Sequence, residues 1–318
     1  MRKIGVFTSG GDAPGMNAHV RAVIRTCLSI GVEPIGIMNG YEGMMYGDFV
    51  HLTAKDSANI ISRGGTILKT ARSKRFMTEE GRAQAAKNLK DAMIEGVIAC
   101  GGDGTFHGAH YLYHEHHIPI VGTPGTIDND LYGTDFTIGY DTAINTAAEA
   151  IDRIRDTAES HGRVFIIEVM GRHAGFIAMD VGVACGAKAI AVPETHTDLA
   201  DLAGRIKEHS NRRTIIVVGE GDELGGAGDV SRMLKEGYDI DSHVTILGHI
   251  QRGGSPTVRD RVLATRLGSV AVNALLAGKT DVMVGESNHH VSYTPLNETW
   301  EKRKQLPPYL VELSTLLA

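Results

Sequence analysis

The stretch Gly96-Val97-Ile98-Ala99-Cys100-Gly101-Gly102-Asp103-Gly104-Thr105 decides the fold class. It opens as an apolar run that reads as a buried strand and ends in a glycine-rich turn holding one carboxylate. The pattern repeats at Ile118-Pro119-Ile120-Val121-Gly122, which runs into Thr123-Pro124-Gly125-Thr126-Ile127-Asp128-Asn129-Asp130. Loops so placed lie at the carboxyl ends of parallel strands, where open α/β sheets bind ligands. Asp103, Asp128 and Asp130 would then project from neighbouring loops into one crevice. Glycines beside them let phosphates approach the backbone. Carboxylates and phosphates repel, so such a site needs a divalent cation or a proton-transfer role for at least one aspartate. The combination points to metal-dependent phosphoryl transfer.

Outward from these loops, strand-like and helix-like segments alternate, which argues for a mostly parallel α/β sheet. Strands are expected near 3–8, 34–38, 96–100, 118–122, 164–170, 189–192, 214–219 and 281–285. A helix is expected near 16–30, where Val20, Val23, Ile24, Cys27 and Leu28 recur at helical spacing. Another is expected over 141–158, with Ile144, Ala147, Ala148, Ile151 and Ile154 on one face. Asp198 caps a helix running to His209, and a long helix near 257–276 ends before Gly278. Residues 221–229 read as a flexible loop, and a polar tail closes the chain.

The 318 residues suit two domains sharing a cleft or one large α/β domain, and 42% hydrophobic residues suffice for a sizeable core. A net charge of -6 argues against bulk nucleic-acid or acidic-membrane binding. Cys27, Cys100 and Cys185 sit singly in apolar contexts and read as core residues of a reduced, cytoplasmic protein. The amino terminus leads straight into a strand, so no signal peptide is expected. No apolar run approaches the roughly 20 residues of a membrane span.

Thr8-Ser9-Gly10-Gly11-Asp12-Ala13-Pro14-Gly15-Met16-Asn17 is a strand-to-helix loop whose N–H groups would cradle a phosphate, or an ordinary βα turn. No Walker A lysine is present, so this is not a P-loop enzyme. Asp128 is suited to accept a proton from an attacking hydroxyl, and Thr126 to donate to a moving phosphoryl group. The alternative for Asp128 or Asp130 is a helix cap or turn former. Basic residues recur beside glycines at Arg63, Arg72 to Arg75, Arg163, Arg172, and in His249-Ile250-Gln251-Arg252-Gly253-Gly254. Arginines on short loops suit phosphate recognition, though each alone also reads as a surface ion pair. His107, His110, His114 and His117 would share one helical face. Metal ligands need fixed geometry and a supporting shell, and an exposed helix face accounts for these histidines as well.

Together, from Gly10 to Pro256, these motifs resemble the bacterial ATP-dependent 6-phosphofructokinases. The resemblance implies an α/β protein of two domains, each a parallel-rich, Rossmann-like sheet flanked by helices, with the active site in the cleft between them. Residues 1–139 and 252–303 would form the ATP domain, and 140–251 with 304–318 the sugar-phosphate domain. By resemblance, Gly11, Tyr41, Arg72, Arg82, Gly102, Gly104, Thr105 and Gly108 would contact ATP, and Asp103 would hold Mg²⁺. Asp128 would be the general base for the sugar 1-hydroxyl, with Asp130 positioning the site. Thr126, Arg172, Arg72 and Gly11 would steady the transferring phosphoryl. Met170, Gly171 and Glu220 would line the sugar, and Arg163, His249 and Arg252 would bind its 6-phosphate. Arg163 would act across a subunit interface, which implies a homotetramer. Alternatives are a pyrophosphate-dependent or altered-sugar relative, or a non-catalytic sugar-phosphate sensor. Kinases for NAD or diacylglycerol share a Gly-Gly-Asp-Gly loop but lack the other two motifs.

Three departures and matches refine the expectation. His243 stands where the family usually has a second arginine reaching across subunits, and histidine is only partly charged near neutral pH and lacks the bidentate fork. Arg21, Arg25, Arg155 and Arg213 match effector-site cations, but Ala54, Asn59 and Lys188 depart from the pattern. A weak or altered response to ADP and phosphoenolpyruvate is expected. Gly104 and Gly125 fall where pyrophosphate-dependent relatives carry Asp and Lys, so glycine at both leaves room for ATP.

Overall fold

The computed structural model describes residues 1–161, 163–208 and 214–316. Along the chain the elements are β1 (Lys3–Thr8), α1 (Met16–Ser29), β2 (Glu33–Ile37), α2 (Gly40–Tyr46), β3 (Phe49–His51), α3 (Glu79–Asp91), β4 (Gly96–Gly101), α4 (Asp103–His116), β5 (Ile120–Pro124) and α5 (Tyr140–His161). There follow β6 (Val164–Val169), α6 (Phe176–Ala184), β7 (Ala189–Ala191), α7 (Leu199–Glu208), β8 (Thr214–Gly219), α8 (Ala227–Tyr238) and β9 (Ser242–Ile246). The chain closes with α9 (Val258–Leu276), β10 (Val282–Ser287), β11 (His290–Pro295), α10 (Glu298–Glu301) and α11 (Pro308–Leu316). Contacts divide it into two units: Met1–Ile127, Leu131–Thr142 and Arg252–Lys304; and Asp128–Asp130, Ala143–Gln251 and Gln305–Ala318. Among the described residues, no helix is long and apolar enough to cross a membrane.

The first unit is built on a seven-stranded sheet in the order β11-β10-β5-β4-β1-β2-β3. The run from β10 to β2 is parallel, and the two edge pairs are antiparallel. Its central strands carry Ile4, Val6, Phe7, Val97, Ile98, Ala99, Ile120 and Val121, all fully buried. Both faces are therefore covered, as the near-continuous apolar runs require. The chain moves from β1 to β2 on one side, then returns to place β4 on the other. That reversal opens a crevice beyond the carboxyl ends of β1 and β4.

Helix α1 packs along α9. A Cβ at Gly268 would stand 2.8 Å from the His19 carbonyl, so only glycine allows the two helices this approach. His19 is fully enclosed there. Its Nε2 lies 2.9 Å from Thr123 Oγ1, which itself reaches the Ala99 carbonyl at 3.4 Å. A proton on Nε2 lets the threonine hydroxyl accept from the ring and donate onward. The Nδ1 atom has no hydrogen-bond partner.

Burial drives the His19 ring down from 6.5 to about 3. The unfolded chain therefore takes up a proton below its ordinary value that the folded ring refuses until about pH 3. Stability is lost as pH falls through that window. Between pH 7.5 and 5 the wild type should lose about 2 kcal/mol that His19→Gln does not lose. The Asp260 carboxyl, raised by burial to about 6, titrates with the opposite sign. Because Asp260 is common to both proteins, it drops out of the difference between their urea-unfolding curves. Equal pH slopes for the two proteins would refute the assignment.

The second unit holds a four-stranded, all-parallel sheet, β7-β8-β6-β9. One face is covered by Leu202, Ala203 and Ile206 of α7 and by Val230 and Leu234 of α8, packed on Ile166, Ile216 and Val218. On α6, which lies against β8 and α11, Phe176, Ile177, Ala178, Met179 and Val181 are buried.

Several local expectations need correction. The strand expected at 118–122 runs two residues later, Ile120–Pro124, because Pro119 has no N–H to give the ladder. The segment 221–229 is not all loop: α8 begins at Ala227, its apolar stripe masked by Gly226 and Gly228. The closing segment is not a polar tail but β11, α10 and α11. The β10–β11 hairpin turns on Asn288 and His289, with φ of 50° and 65°. Two such residues make the primed turn that matches strand twist, but histidine rarely advertises it. The helix beginning after Asp198 is described to Glu208, with Asp198 Oδ1 accepting from the Ala200 and Asp201 N–H groups. Its expected last residue, His209, lies outside the described residues.

Candidate active site

In the first unit, β1, β4 and β5 are sheet neighbours and end together. Backbone bonds tie their carboxyl-terminal loops: Ser9 N donates to Cys100 O (3.0 Å) and Gly125 N to Gly101 O (2.9 Å). Gly10 takes φ of 84°, a conformation that favours glycine. Asp103 opens α4, and its Oδ1 accepts from Gly104 N at 2.7 Å. The half-buried carboxylate thus sits at a helix start, where the helix dipole favours negative charge. A Cβ built on Gly102 would lie 3.7 Å from Thr126 Cβ, and one on Gly10 would lie 3.7 Å from Thr105 Oγ1. Gly10, Gly102, Asp103, Thr105 and Thr126 are therefore brought together at the crest of the first sheet.

Arg252 joins the same crest. Its guanidinium covers Gly11 so closely that a Cβ there would stand 1.9 Å from Nη1, and Nη1 donates to the Asp12 carbonyl at 3.4 Å. The Arg63–Gly64 turn is fixed by Asn17, whose Nδ2 donates to both carbonyls at 3.1 Å. Ser255 Oγ binds the Ser62 carbonyl at 2.8 Å, holding the loop after Arg252 against that turn. Arg72 is exposed.

Asp128 and Asn129 are buried and Asp130 is half-buried, and contacts group all three with the second unit. Asn129 adopts φ of 54°, which asparagine tolerates better than most side chains and which turns the chain between the two aspartates.

The second unit gathers its own crest at the carboxyl ends of β6, β8 and β9. Glu220 Oε1 accepts from Arg172 N at 2.7 Å and from Gly171 N at 3.4 Å. Gly171 and Arg172 take φ of 149° and 58°, so the chain turns sharply after β6 and leaves Arg172 exposed. Sequence reasoning missed Gln251 as a determinant of this crest. It is fully buried, and its Oε1 accepts from Met170 N at 2.9 Å. Its place inside the His-Ile-Gln-Arg-Gly-Gly motif was the available signal.

Tyr41 and Arg82 lie against α4, the helix that carries Thr105 and Gly108. Tyr41 is buried, stacked on Phe76 with ring centroids 3.9 Å apart, and its hydroxyl donates to the Thr105 carbonyl. Gly108 lies where a Cβ would meet both rings at 2.9 Å. Arg82 is 8% exposed and engaged with Glu115, at 2.6 Å from Nε and 2.7 Å from Nη2. It also donates to the Met77 carbonyl at 2.8 Å. Tyr41 and Arg82 thus shape the wall behind Thr105 and along α4.

Arg163 precedes β6, and His243 pairs in register with Phe165 on β9. Both are exposed at the amino ends of their strands. Six extended residues of β6 put that end about 20 Å from Met170–Arg172. Of the effector candidates, Arg21 and Arg25 lie one turn apart on α1, and Arg155 on α5 donates to the Cys185 carbonyl. Lys188 N donates to the Ile215 carbonyl at 2.8 Å. Arg213 lies outside the described residues.

The two donor-position glycines differ physically. A Cβ at Gly104 meets nothing within 4 Å, whereas one at Gly125 would stand 2.6 Å from Cys100 Sγ and 3.2 Å from both Gly101 N and Met16 Cε. Burial pushes the Cys100 thiol up to about 12, so it stays a protonated core group. Gly104→Asp should change unfolding free energy by no more than about 0.5 kcal/mol. Gly125→Lys should lose about 2–3 kcal/mol through overpacking. Urea midpoints of the two variants check this, and equal losses would contradict it.

A mostly parallel sheet with carboxylate and glycine loops at its crest, in a chain whose other unit carries Arg172 and Glu220 at the crest of a sheet of its own, belongs to the α/β class that serves phosphoryl transfer. The family model for phosphofructokinase matches residues 3–275. The chain belongs to the phosphofructokinase family, and it is an enzyme of the ATP-dependent 6-phosphofructokinase type. It is 60% identical over 322 residues to ATP-dependent 6-phosphofructokinase 1 of Thermus thermophilus, with all of both chains covered. It is 48% identical over 321 residues to the ATP-dependent 6-phosphofructokinase of Bacillus velezensis, again with full coverage. Among solved structures, phosphofructokinase from Saccharomyces cerevisiae superposes with a TM-score of 0.90 at 38% identity, covering 100% of this chain and 48% of that one. A pyrophosphate-dependent phosphofructokinase from Marinobacter aquaeolei shares the fold, with a TM-score of 0.85 at 23% identity over 100% of this chain and 91% of that one.

Proposed function

We propose that the enzyme transfers the γ-phosphoryl of ATP to the 1-hydroxyl of D-fructose 6-phosphate, the committed step of glycolysis. One observation carries the reading. The loops after β1, β4 and β5 bring Gly10, Gly102, Asp103, Thr105 and Thr126 into one crest, on a chain that aligns end to end with ATP-dependent relatives.

The first unit suits a magnesium-bearing triphosphate. Mg²⁺ takes one or two carboxylates and keeps phosphate oxygens and waters as its other ligands, and Asp103 offers such a carboxylate at the start of α4. Asp103 would hold the ion, whose charge would offset that of the phosphates. The Gly10–Gly11 and Gly102–Gly104 backbone would approach the phosphates, and Arg72 would bridge them. Asp128 would accept the proton of the 1-hydroxyl as it attacks, with Asp130 orienting the loop. Thr126 and Arg172 would hold the moving phosphoryl oxygens. Met170, Gly171 and Glu220 would line the sugar, and His249 with Arg252 would bind its 6-phosphate. Arg163 and His243 lie at the far strand ends of their own unit, which fits a role toward the sugar phosphate of another subunit in a homotetramer.

Glycine at 104 and 125 favours ATP over pyrophosphate as donor. An aldolase-coupled assay run with each donor, with and without fructose 6-phosphate, tests the reading. Turnover is expected with ATP and sugar phosphate only, and turnover with pyrophosphate alone as donor would overturn it. His243→Arg should lower the KM for sugar phosphate at pH 8 and flatten its dependence between pH 6 and 8. A wild-type KM already flat over that range would count against the role of His243.

A further inference from the structure

We infer that His110, His114 and Asp281 form a binding site for a divalent transition metal of the zinc, cobalt and nickel group. The helix histidines alone did not carry this reading. The fold adds the third ligand from 171 residues away. His110 Nδ1 lies 2.9 Å from Asp281 Oδ1 and 3.1 Å from Oδ2, and His114 Nε2 lies 2.9 Å from Oδ2. One ligand atom from each residue falls within 4.8 Å of the others.

The frame is rigid. His110 and His114 stand one turn apart on α4. Asp281 is held at φ of 57° by two backbone bonds: its N–H donates to Ile120 O at 2.8 Å, and its carbonyl accepts from Leu296 N at 2.9 Å. The carboxylate therefore faces the histidines through main-chain constraint. Around a tetrahedral ion with bonds of about 2.0–2.1 Å, ligand atoms stand roughly 3.3 Å apart. The histidine-to-aspartate separations already lie within about half an ångström of that spacing, and rotation of the two imidazoles, by up to about 1.5 Å at the ligand nitrogens, completes it.

Two imidazoles and one carboxylate suit borderline ions and not magnesium or calcium, which prefer all-oxygen shells. The side chain of Asp281 is 16% exposed and that of His110 23%, while His114 at 53% leaves an entry path and room for a water as fourth ligand. The bound ion would clamp α4, which carries Asp103 at its start, to the turn that enters β10.

Trp300 is the sole tryptophan of the chain and supplies a reporter. It stacks on His107 with centroids 3.8 Å apart and meets the His110 ring edge-on at 5.7 Å. Open-shell ions quench a neighbouring indole, whereas zinc does not. Untagged full-length protein in excess Mg²⁺ is titrated with Co²⁺ or Ni²⁺. Saturable quenching at one ion per chain is expected, reversed by Zn²⁺, with a rise in thermal midpoint under Zn²⁺. His114→Ala and His110→Ala should each weaken the apparent affinity by at least about tenfold while sugar-kinase turnover stays at the wild-type level. That turnover also certifies that the variants fold. Absence of quenching, quenching that Zn²⁺ fails to reverse, or affinity unchanged in both variants would overturn the site.

Discussion

Asp128→Asn is expected to lower kcat by about a thousandfold, close to 4 kcal/mol of barrier. The substitution keeps the shape of the side chain and removes only its capacity to take a proton. Asp128 is 6% exposed, so the amide would occupy the same enclosed place with little solvent to serve as substitute base. The sugar hydroxyl would then attack without a partner for its proton. The KM values for ATP and sugar phosphate should move far less than kcat, because the lost interaction belongs to the transition state. The aldolase-coupled assay reads both parameters. A kcat within a fewfold of wild type would remove Asp128 from the role of base and leave it a loop former beside Asn129. A large rise in KM with kcat unchanged would instead make it a sugar-binding group.

The second large effect concerns stability. Asp260 is 1% exposed, yet its carboxylate is fully used. Oδ1 accepts from Gly139 N at 2.9 Å, and Oδ2 accepts from Thr142 N at 2.8 Å and from Thr142 Oγ1 at 2.5 Å. Thr142 Oγ1 in turn accepts from Thr257 N at 3.0 Å, and Thr257 Oγ1 caps α9 by accepting from Asp260 N at 3.3 Å. Asp260→Ala strands two buried backbone donors, at about 1–3 kcal/mol each, and frees the Thr142 hydroxyl. A loss of about 3–5 kcal/mol is expected, read as a shift in the urea midpoint. Asp260→Asn should recover only part of it, because its NH₂ faces one of the donors. Ile138, just before this knot, bonds to Pro124 O at 2.8 Å and bridges Gly125. The variant should therefore also blunt activity through the Thr126 loop. A midpoint unchanged in both variants would show that the network is dispensable.

The strands that carry the crest were the most legible. β1, β4 and β8 are apolar runs buried on both faces, so their residue types alone announce them. β9, Ser-His-Val-Thr-Ile, is an edge strand with little buried surface, and its mixed composition hid it. The glycine and aspartate loops were legible because phosphate chemistry narrows the residue types that fit there. The stacking of Tyr41 on Phe76 and the pairing of Arg82 with Glu115 were not legible, because no local pattern names partners brought by folding.

The amino-acid sequence by itself determined the parallel α/β class, the loops that hold the carboxylates, and membership of the phosphofructokinase family, because each rests on short-range periodicity or on motifs contiguous in the chain. Only the tertiary structure decided what Asp260, Gln251 and Asp281 do. The partners of these residues lie 118 and 121, 81, and 171 and 167 positions away. A buried carboxylate or amide takes its meaning from the donors that folding carries to it, and no local stretch of sequence names those donors.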